Sequence, residues 1–306
     1  MEGLRFWILF NLFILALLAL DLGVLRRGPR TIRFREAMWQ SLAWIALAAG
    51  FAALVFYWRG PQKTLEFVTG YLVEESLSVD NLFVFLLLFN YFRVESQYQR
   101  KVLSWGIVGA LVMRGIFILL GVGLVQRFHV VIYIFGAFLL YTGARLLRSG
   151  EQQVDPERGW VMKLARRRLR VTREEHEGRF FVRRDGQTWA TTLFLVLLVV
   201  ETTDLLFAVD SIPAVLAISK DPFIVYTSNV FAILGLRSLY FALAGMFEVF
   251  HYLHYGLTAI LMFIGVKMLI SGWHDIPTHI ALMVVAGVLA VSVAASLALK
   301  PKPKQM

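Results

Sequence analysis

The 306-residue chain contains no cysteine. Disulfides, thiolate zinc sites, cysteine-held iron–sulfur clusters and thiol redox chemistry are therefore excluded, and any metal must be held by oxygen or imidazole. Charge is also scarce. Charged residues make up 17% of the chain, against about 25% in an ordinary soluble domain. Apolar residues reach 58%, above the roughly 45–50% of soluble domains, which excludes disorder and argues against a cytosolic enzyme. There is no HExxH motif and no nucleophile–base pair, so the chain is not expected to be an enzyme. Aromatics at 14% fit interface belts and packing, and no resident cofactor is expected.

Apolar runs long enough to cross a bilayer recur almost to the C-terminus. They predict an all-α, polytopic membrane protein with about nine transmembrane helices, near 6–25, 38–58, 66–92, 102–125, 129–148, 189–218, 223–247, 252–272 and 278–299. The first run has no basic leader and no small-residue cleavage site, so it reads as a helix and not as a signal peptide.

The net charge of +10 does not point to nucleic acid, because the basic residues lie between the apolar runs. One set of connections is rich in Lys and Arg: five Arg from Arg26 to Arg35, then Arg93 to Lys101, ten Lys/Arg against seven Asp/Glu from Ser149 to Trp189, and Lys300, Lys302 and Lys304. The alternating set holds only Arg59, Lys63, Arg127 and Lys220. The positive-inside rule puts the basic set in the cytoplasm, with the N-terminus outside and the C-terminus inside. The long basic connection, with an Arg-rich amphipathic stretch near Lys163 to Arg170, is expected to lie against anionic lipid.

Tyr133–Gly150 (YIFGAFLLYTGARLLRSG) aligns without a gap on Tyr255–Gly272 (YGLTAILMFIGVKMLISG). Upstream, Arg114 lies opposite Arg237, Asp80-Asn81 opposite Asp210-Ser211, and Glu74 opposite Asp204. Three helices thus repeat as three, and an odd number inverts the second copy, the arrangement transporters use to build a midplane site. The expected organisation is two N-terminal helices (1–65), a first repeat (66–148), the basic connection (149–188), a second repeat (189–272), and a last helix with a basic tail (273–306).

The third span reads GYLVEESLSVDNLFVFLL and the sixth LVLLVVETTDLLFAVDSIPAVLAI. A carboxylate at the centre of a span costs about 2.5–3.5 kcal/mol, so Glu201, Asp204 and Asp210 burden one helix by roughly 8–10 kcal/mol. Arg114 and Arg237 can neutralise one or two acids by pairing. Five deep acids, Glu74, Asp80, Glu201, Asp204 and Asp210, nevertheless outnumber them, and protons or a cation must make up the deficit. With Asn81 and Ser211 beside the repeat aspartates, the oxygen-only donor set suits manganese, magnesium or calcium over copper or zinc. Residues six apart diverge by about 120° on a regular helix, so Asp204 and Asp210 cannot both face one ion from a straight helix. Pro213 deprives the Val209 carbonyl of its donor, and a kink there would free that carbonyl as a ligand. The alternative takes Asp80 and Asp210, one from each half. Asp21 reads equally as an interfacial aspartate or as part of the ion path, His251 and His254 as interfacial, Arg145 and Lys267 as snorkelling near span ends, and Glu75 as facing away from Glu74.

The blocks EESLSVDNLFVF, GALVMRGIFILLG, YIFGAFLLYTG, FFVRRDG, VETTDLLFAVDSIPAV and DPFIVYTSNVFAILGLRSLYF resemble the TerC family of integral membrane proteins, most closely its Alx-type branch, from about Leu20 to Pro277. The resemblance implies a bacterial inner-membrane protein of a family linked with tellurium resistance and read mainly as manganese exporters. It also implies that Glu74, Asp80, Glu201, Asp204 and Asp210 form the metal path, with Asn81 and Ser211 adjoining. On this reading the chain exports Mn(II), with proton coupling suggested by the charge count. The alternative it leaves open is a membrane scaffold, or an insertion or stress-response factor, with structural intramembrane acids.

Overall fold

The computed structural model describes residues 2–22, 32–128, 130–149, 160–172, 178–184, 186–244, 253–274 and 276–298. Among these the chain is overwhelmingly helical: α1 (Glu2–Leu22), α2 (Phe34–Arg59), α3 (Pro61–Tyr91), α4 (Ser96–Arg127), α5 (Val130–Ser149), a short α6 (Trp160–Arg168), α7 (Thr192–Leu216), α8 (Pro222–Ala244), α9 (Leu253–Ile270) and α10 (Thr278–Ala298). Six of them, α2, α4, α5, α7, α8 and α10, are long and apolar enough to cross a bilayer. The sequence runs counted nine. The apolar stretches of α1 and α9 are shorter, and α3 carries Lys63, Glu66, Glu74, Glu75 and Asp80 along its length.

Local chemistry explains several boundaries. Gly60 closes α2 with φ +84°, its N–H donated to the Phe56 carbonyl, and Pro61 follows at the first position of α3. A left-handed glycine followed by a proline preset for helix makes a tight corner. Thr191 caps α7 by accepting from the Phe194 N–H. Asp221 caps α8, its carboxylate accepting from the N–H groups of Phe223 and Ile224, with Pro222 first in that helix.

The basic connection is not wholly a linker. It contains α6 and a three-stranded sheet of β1 (Val171–Thr172), β2 (Phe181–Arg184) and β3 (Gln187–Thr191) in the order β1-β3-β2. β1 runs parallel to β3, and β2 forms an antiparallel hairpin with it from Phe181↔Ala190 to Arg184↔Gln187. The sheet extends to Thr191, so α7 begins three residues later than the apolar run suggested. Lys101 of α4 donates to the Gly178 carbonyl at 2.7 Å and lies 4.8 Å from the Phe180 ring centre, tying this unit to the helices.

α8 is buried along nearly its whole length, packing against α2, α3 and α4. The closest helix pairs are α5 with α9, α3 with α8, and α4 with α7. Their directions follow from who meets whom. Gly70 and Glu75 of α3 lie against Ser228 and Gly235 of α8, so that pair is parallel. Gly106, Arg114 and Gly121 of α4 meet Val200, Asp204 and Leu216 of α7, again parallel. α5 and α9 cross antiparallel: Gly136 meets the Gly265 carbonyl, and Gly143 meets Met262 and the Thr258 carbonyl. Leu9, Trp39, Leu120, Met283 and Val291 are exposed on outer faces, as expected of a surface solvated by lipid.

Candidate functional site

Arg114, in the middle of α4, is 1% exposed. It points between α3 and α7. Nη2 donates to Asp204 Oδ1 at 3.0 Å and Nε to Oδ2 at 3.4 Å, while Nη1 donates to Ser211 Oγ at 3.4 Å and forms an ion pair with Glu74. One cation thus serves two carboxylates and a hydroxyl from two helices. Low dielectric makes such an arrangement sensitive to the loss of any member.

The other acids of α7 diverge from this centre. Glu201, a turn before Asp204, lies against Gly109 of α4, and a side chain at that position would occupy the space of its carboxylate. Among the described residues Glu201 makes no ion pair or hydrogen bond. A narrow cavity lined by Arg114, Glu201, Asp204, Phe85 and Leu103 joins it to the arginine centre. Asp210 faces α5 instead, accepting from Thr142 Oγ1 at 3.3 Å. α7 stays helical through Pro213, and Asp204 and Asp210 point to different neighbours as the six-residue spacing requires. Asn81 is buried on α3. The side chain of Asp80, like those of Asp21 and His254 and the whole of His251, lies outside the described residues. Among the described residues, no three His, Asp or Glu side chains converge as a metal would need.

Glu74 and Glu75 separate as neighbours on a helix must. Glu75 is turned toward Gly235 of α8, next to Trp44 of α2, and among the described residues its Oε2 has no hydrogen-bond partner. Arg237, 2% exposed, donates to Ser104 Oγ at 3.1 Å. Lys267 does not snorkel. It is 7% exposed and donates to the Ala217 carbonyl at 3.0 Å, whereas Arg145 is exposed.

A polar cluster that the sequence reading passed over closes the end of the bundle where α2, α3, α7 and α8 meet. Arg59 pairs with Asp221 at 2.8 Å, Lys63 with Glu66 at 2.7 Å, and Ser219 Oγ donates to Glu66 at 2.5 Å. Beside it opens a cleft of about 960 Å³, reaching Lys267 of α9, Ser271 just past its end, and Thr278 of α10. Its sequence signal is a pair of acids beside two separate sparsely charged connections, Glu66 after the one holding Arg59 and Lys63 and Asp221 in the one holding Lys220.

The model of the integral membrane protein TerC family matches residues 59–304. The chain belongs to the TerC family. An uncharacterized membrane protein of Myxococcus xanthus is 48% identical over 291 residues, covering 95% of this chain and 91% of the relative. The Alx protein of Escherichia coli K12, whose name proposes a membrane-bound redox modulator, is 45% identical over 296 residues, 94% and 92% of the two chains. A membrane protein of Rickettsia bellii is 38% identical over 290 residues, 95% and 96%. No solved structure matches significantly. With its apolar helices and membrane-protein relatives, this TerC protein is a multi-pass integral membrane protein.

Proposed function

We propose that this TerC protein is a secondary transporter exporting a divalent metal, Mn(II) above others, from the cytoplasm across the bacterial inner membrane, with protons taken up as the ion leaves. In this reading nine helices cross the membrane, the N-terminus is outside, and α3–α5 and α7–α9 form an inverted repeat. The directions of packing support the inversion. Exchanging α3 with α7, α4 with α8 and α5 with α9 turns the parallel α3–α8 pair into the parallel α7–α4 pair and keeps α5 antiparallel to α9. The offset that aligns Gly143 with Gly265 and Gly136 with Thr258 turns the Gly143–Thr258 contact into the Gly265–Gly136 contact.

The observation that carries the transport reading is the imbalance on α7. Among the described residues Asp204 shares Arg114 with Glu74, Glu201 has no ion pair, and Asp210 feels only the exposed Arg145, with which it forms no ion pair. Ionised carboxylates at membrane depth without a counter-charge are costly, and a hard divalent ion accepts oxygen ligands. Glu74, Asp80, Asn81, Glu201, Asp204, Asp210 and Ser211 are the proposed metal path. Arg114 sits where a cation would meet Glu74 and Asp204, so metal binding and arginine pairing compete, and that competition is the step that alternating access would drive.

The scaffold reading draws on a specific observation too: Arg114 fully engages Glu74 and Asp204, as structural acids would require. A redox role, suggested by the name of the Alx relatives, has no thiol to work through in this chain. Purified protein in liposomes with a manganese-sensitive dye inside decides between transport and scaffold. Transport gives Mn(II) flux that Glu201→Gln and Asp210→Asn abolish, and a well-folded protein with no flux of any divalent metal overturns the proposal.

A further inference from the structure

The stretch from Trp160 to Arg170, WVMKLARRRLR, contains five basic residues and no acid. In the structure its helical part, α6, has two unlike faces. Met162, 2% exposed, and Ala165, 7% exposed, are buried in one apolar cluster with Leu88 and Phe89 from the last turns of α3, Val102 of α4, and Leu195 and Val196 from the first turns of α7. These are helix ends, so α6 sits at the rim of the bundle. The opposite face presents Lys163, Leu164, Arg167 and Arg168 outward, followed by exposed Leu169 and Arg170. At 100° per residue Leu164 falls between Arg167 on one side and Arg168 on the other.

An apolar side chain flanked by cations, on a short helix at one end of the bundle, is the pattern of an element that rests in a membrane surface. The long aliphatic stems can lie along the acyl boundary while their charges reach phosphate. Charge complementarity selects the occupant. With no acid in the stretch, neutral headgroups offer these side chains little, whereas anionic headgroups attract each of them within a Debye length.

We propose that the outward face of α6, with Arg170, is a docking surface for the anionic phospholipid of the membrane in which the protein sits. Because the inner face of α6 shares its apolar cluster with Leu103 and Val200, which also wall the cavity at Glu201 and Asp204, lipid bound outside is mechanically connected to the candidate site. The docking surface stands independently of the identity of any transported ion.

The absence of cysteine supplies the test. The variant Leu164→Cys carries a fluorophore at the centre of the face without removing a cation. The full chain is placed in phosphatidylcholine nanodiscs containing a trace of spin-labelled phosphatidylglycerol or spin-labelled phosphatidylcholine. Quenching should be several-fold stronger with phosphatidylglycerol, fall by up to about five-fold for each cation changed to Gln among Lys163, Arg167 and Arg168, survive Arg167→Lys, and weaken at high salt. Equal quenching by the two lipids overturns the proposal. So does quenching by neither, and so does a fluorophore shielded only on adding soluble inorganic polyphosphate, which would assign the face to a soluble anion.

Discussion

Arg114 of α4 grips Asp204 of α7 through two nitrogens, at 3.0 and 3.4 Å, while its remaining amino group serves both Glu74 of α3 and Ser211 of α7. A single guanidinium therefore holds three helices together at membrane depth, and its trio carries one net negative charge when both acids are ionised. The planar fork is what permits this, since an ammonium would present one compact charge in place of several fixed donors.

Replacing Arg114 with Gln strands two buried carboxylates. Breaking a buried pair by removing one partner costs about 3–5 kcal/mol, so the variant should melt well below the parent in detergent with a chelator present. Under the transport reading Mn(II) then enters the vacated position, and a ligand binding only the folded state restores about 2.7 kcal/mol at a hundred times its dissociation constant. Thermal melts with and without Mn(II) measure both effects. A low melting temperature that metal leaves unchanged favours the scaffold reading.

Glu201→Gln should behave oppositely. Among the described residues that carboxylate has neither ion pair nor hydrogen bond, so neutralising it removes a burden of about 2.5–3.5 kcal/mol on insertion scales and strands nothing. Its expected signature is unchanged or higher stability with lost Mn(II) flux, read by melting and by liposome uptake on the same preparation. A variant that keeps parental flux removes Glu201 from the metal path. Asp210→Asn should lose flux likewise, and Thr142→Val, which removes only one hydrogen bond to Asp210, should cost about 1 kcal/mol.

The long helices were legible because a bilayer leaves so few ways to satisfy a backbone, and apolar runs mark them directly. The hairpin was not, although its signal is present: Asp185-Gly186 between two short alternating runs is a two-residue turn favoured in hairpins, and Gly186 has the positive φ, +71°, that such a turn uses. Reading the whole connection by its charge hid it. The acids and the two deep arginines were visible in sequence, but which acid meets which arginine depends on helix rotation and on contacts between distant segments. Asp204 and Asp210 diverge as their spacing requires. Lys267 turns inward because the end of α7 offers a carbonyl at Ala217, a partner 50 residues away that no local pattern reveals.

Orientation can be read by chemistry, since any introduced cysteine is unique. Gln62→Cys, beside the cleft, should react with a membrane-impermeant maleimide in intact cells, and Arg170→Cys only after the inner face is opened. Both expectations rest on the Lys/Arg bias of the connections. Reaction of residue 170 from the periplasm would reverse the topology, and reaction of both from one side would defeat the inversion.

The antiparallel crossing of α5 and α9 depends on missing side chains. A β-carbon at Gly136 would lie 2.9 Å from Met268 Cβ and 3.0 Å from the Gly265 carbonyl, and one at Gly265 would lie 3.0 Å from the Gly136 carbonyl. Backbone cannot yield as a flexible side-chain tip can, so these helices must separate, at about 1–3 kcal/mol for an overpacked contact. Alanine also gains up to about 1 kcal/mol over glycine in a helix, which offsets part of that cost. Gly287 of α10 supplies the control, because among the described residues nothing lies within 4 Å of its β-carbon position. Gly287→Ala should therefore raise stability slightly, while Gly136→Ala and Gly265→Ala lower it and Gly136→Val lowers it further. The two crossing positions meet at one contact, so once the helices have moved apart for the first alanine the second should cost less, and the double variant should be less destabilised than the sum of the singles. Melting temperatures of the parent and the five variants in one detergent test this, and a crossing variant as stable as Gly287→Ala would show that the close approach of α5 and α9 does not hold the bundle together.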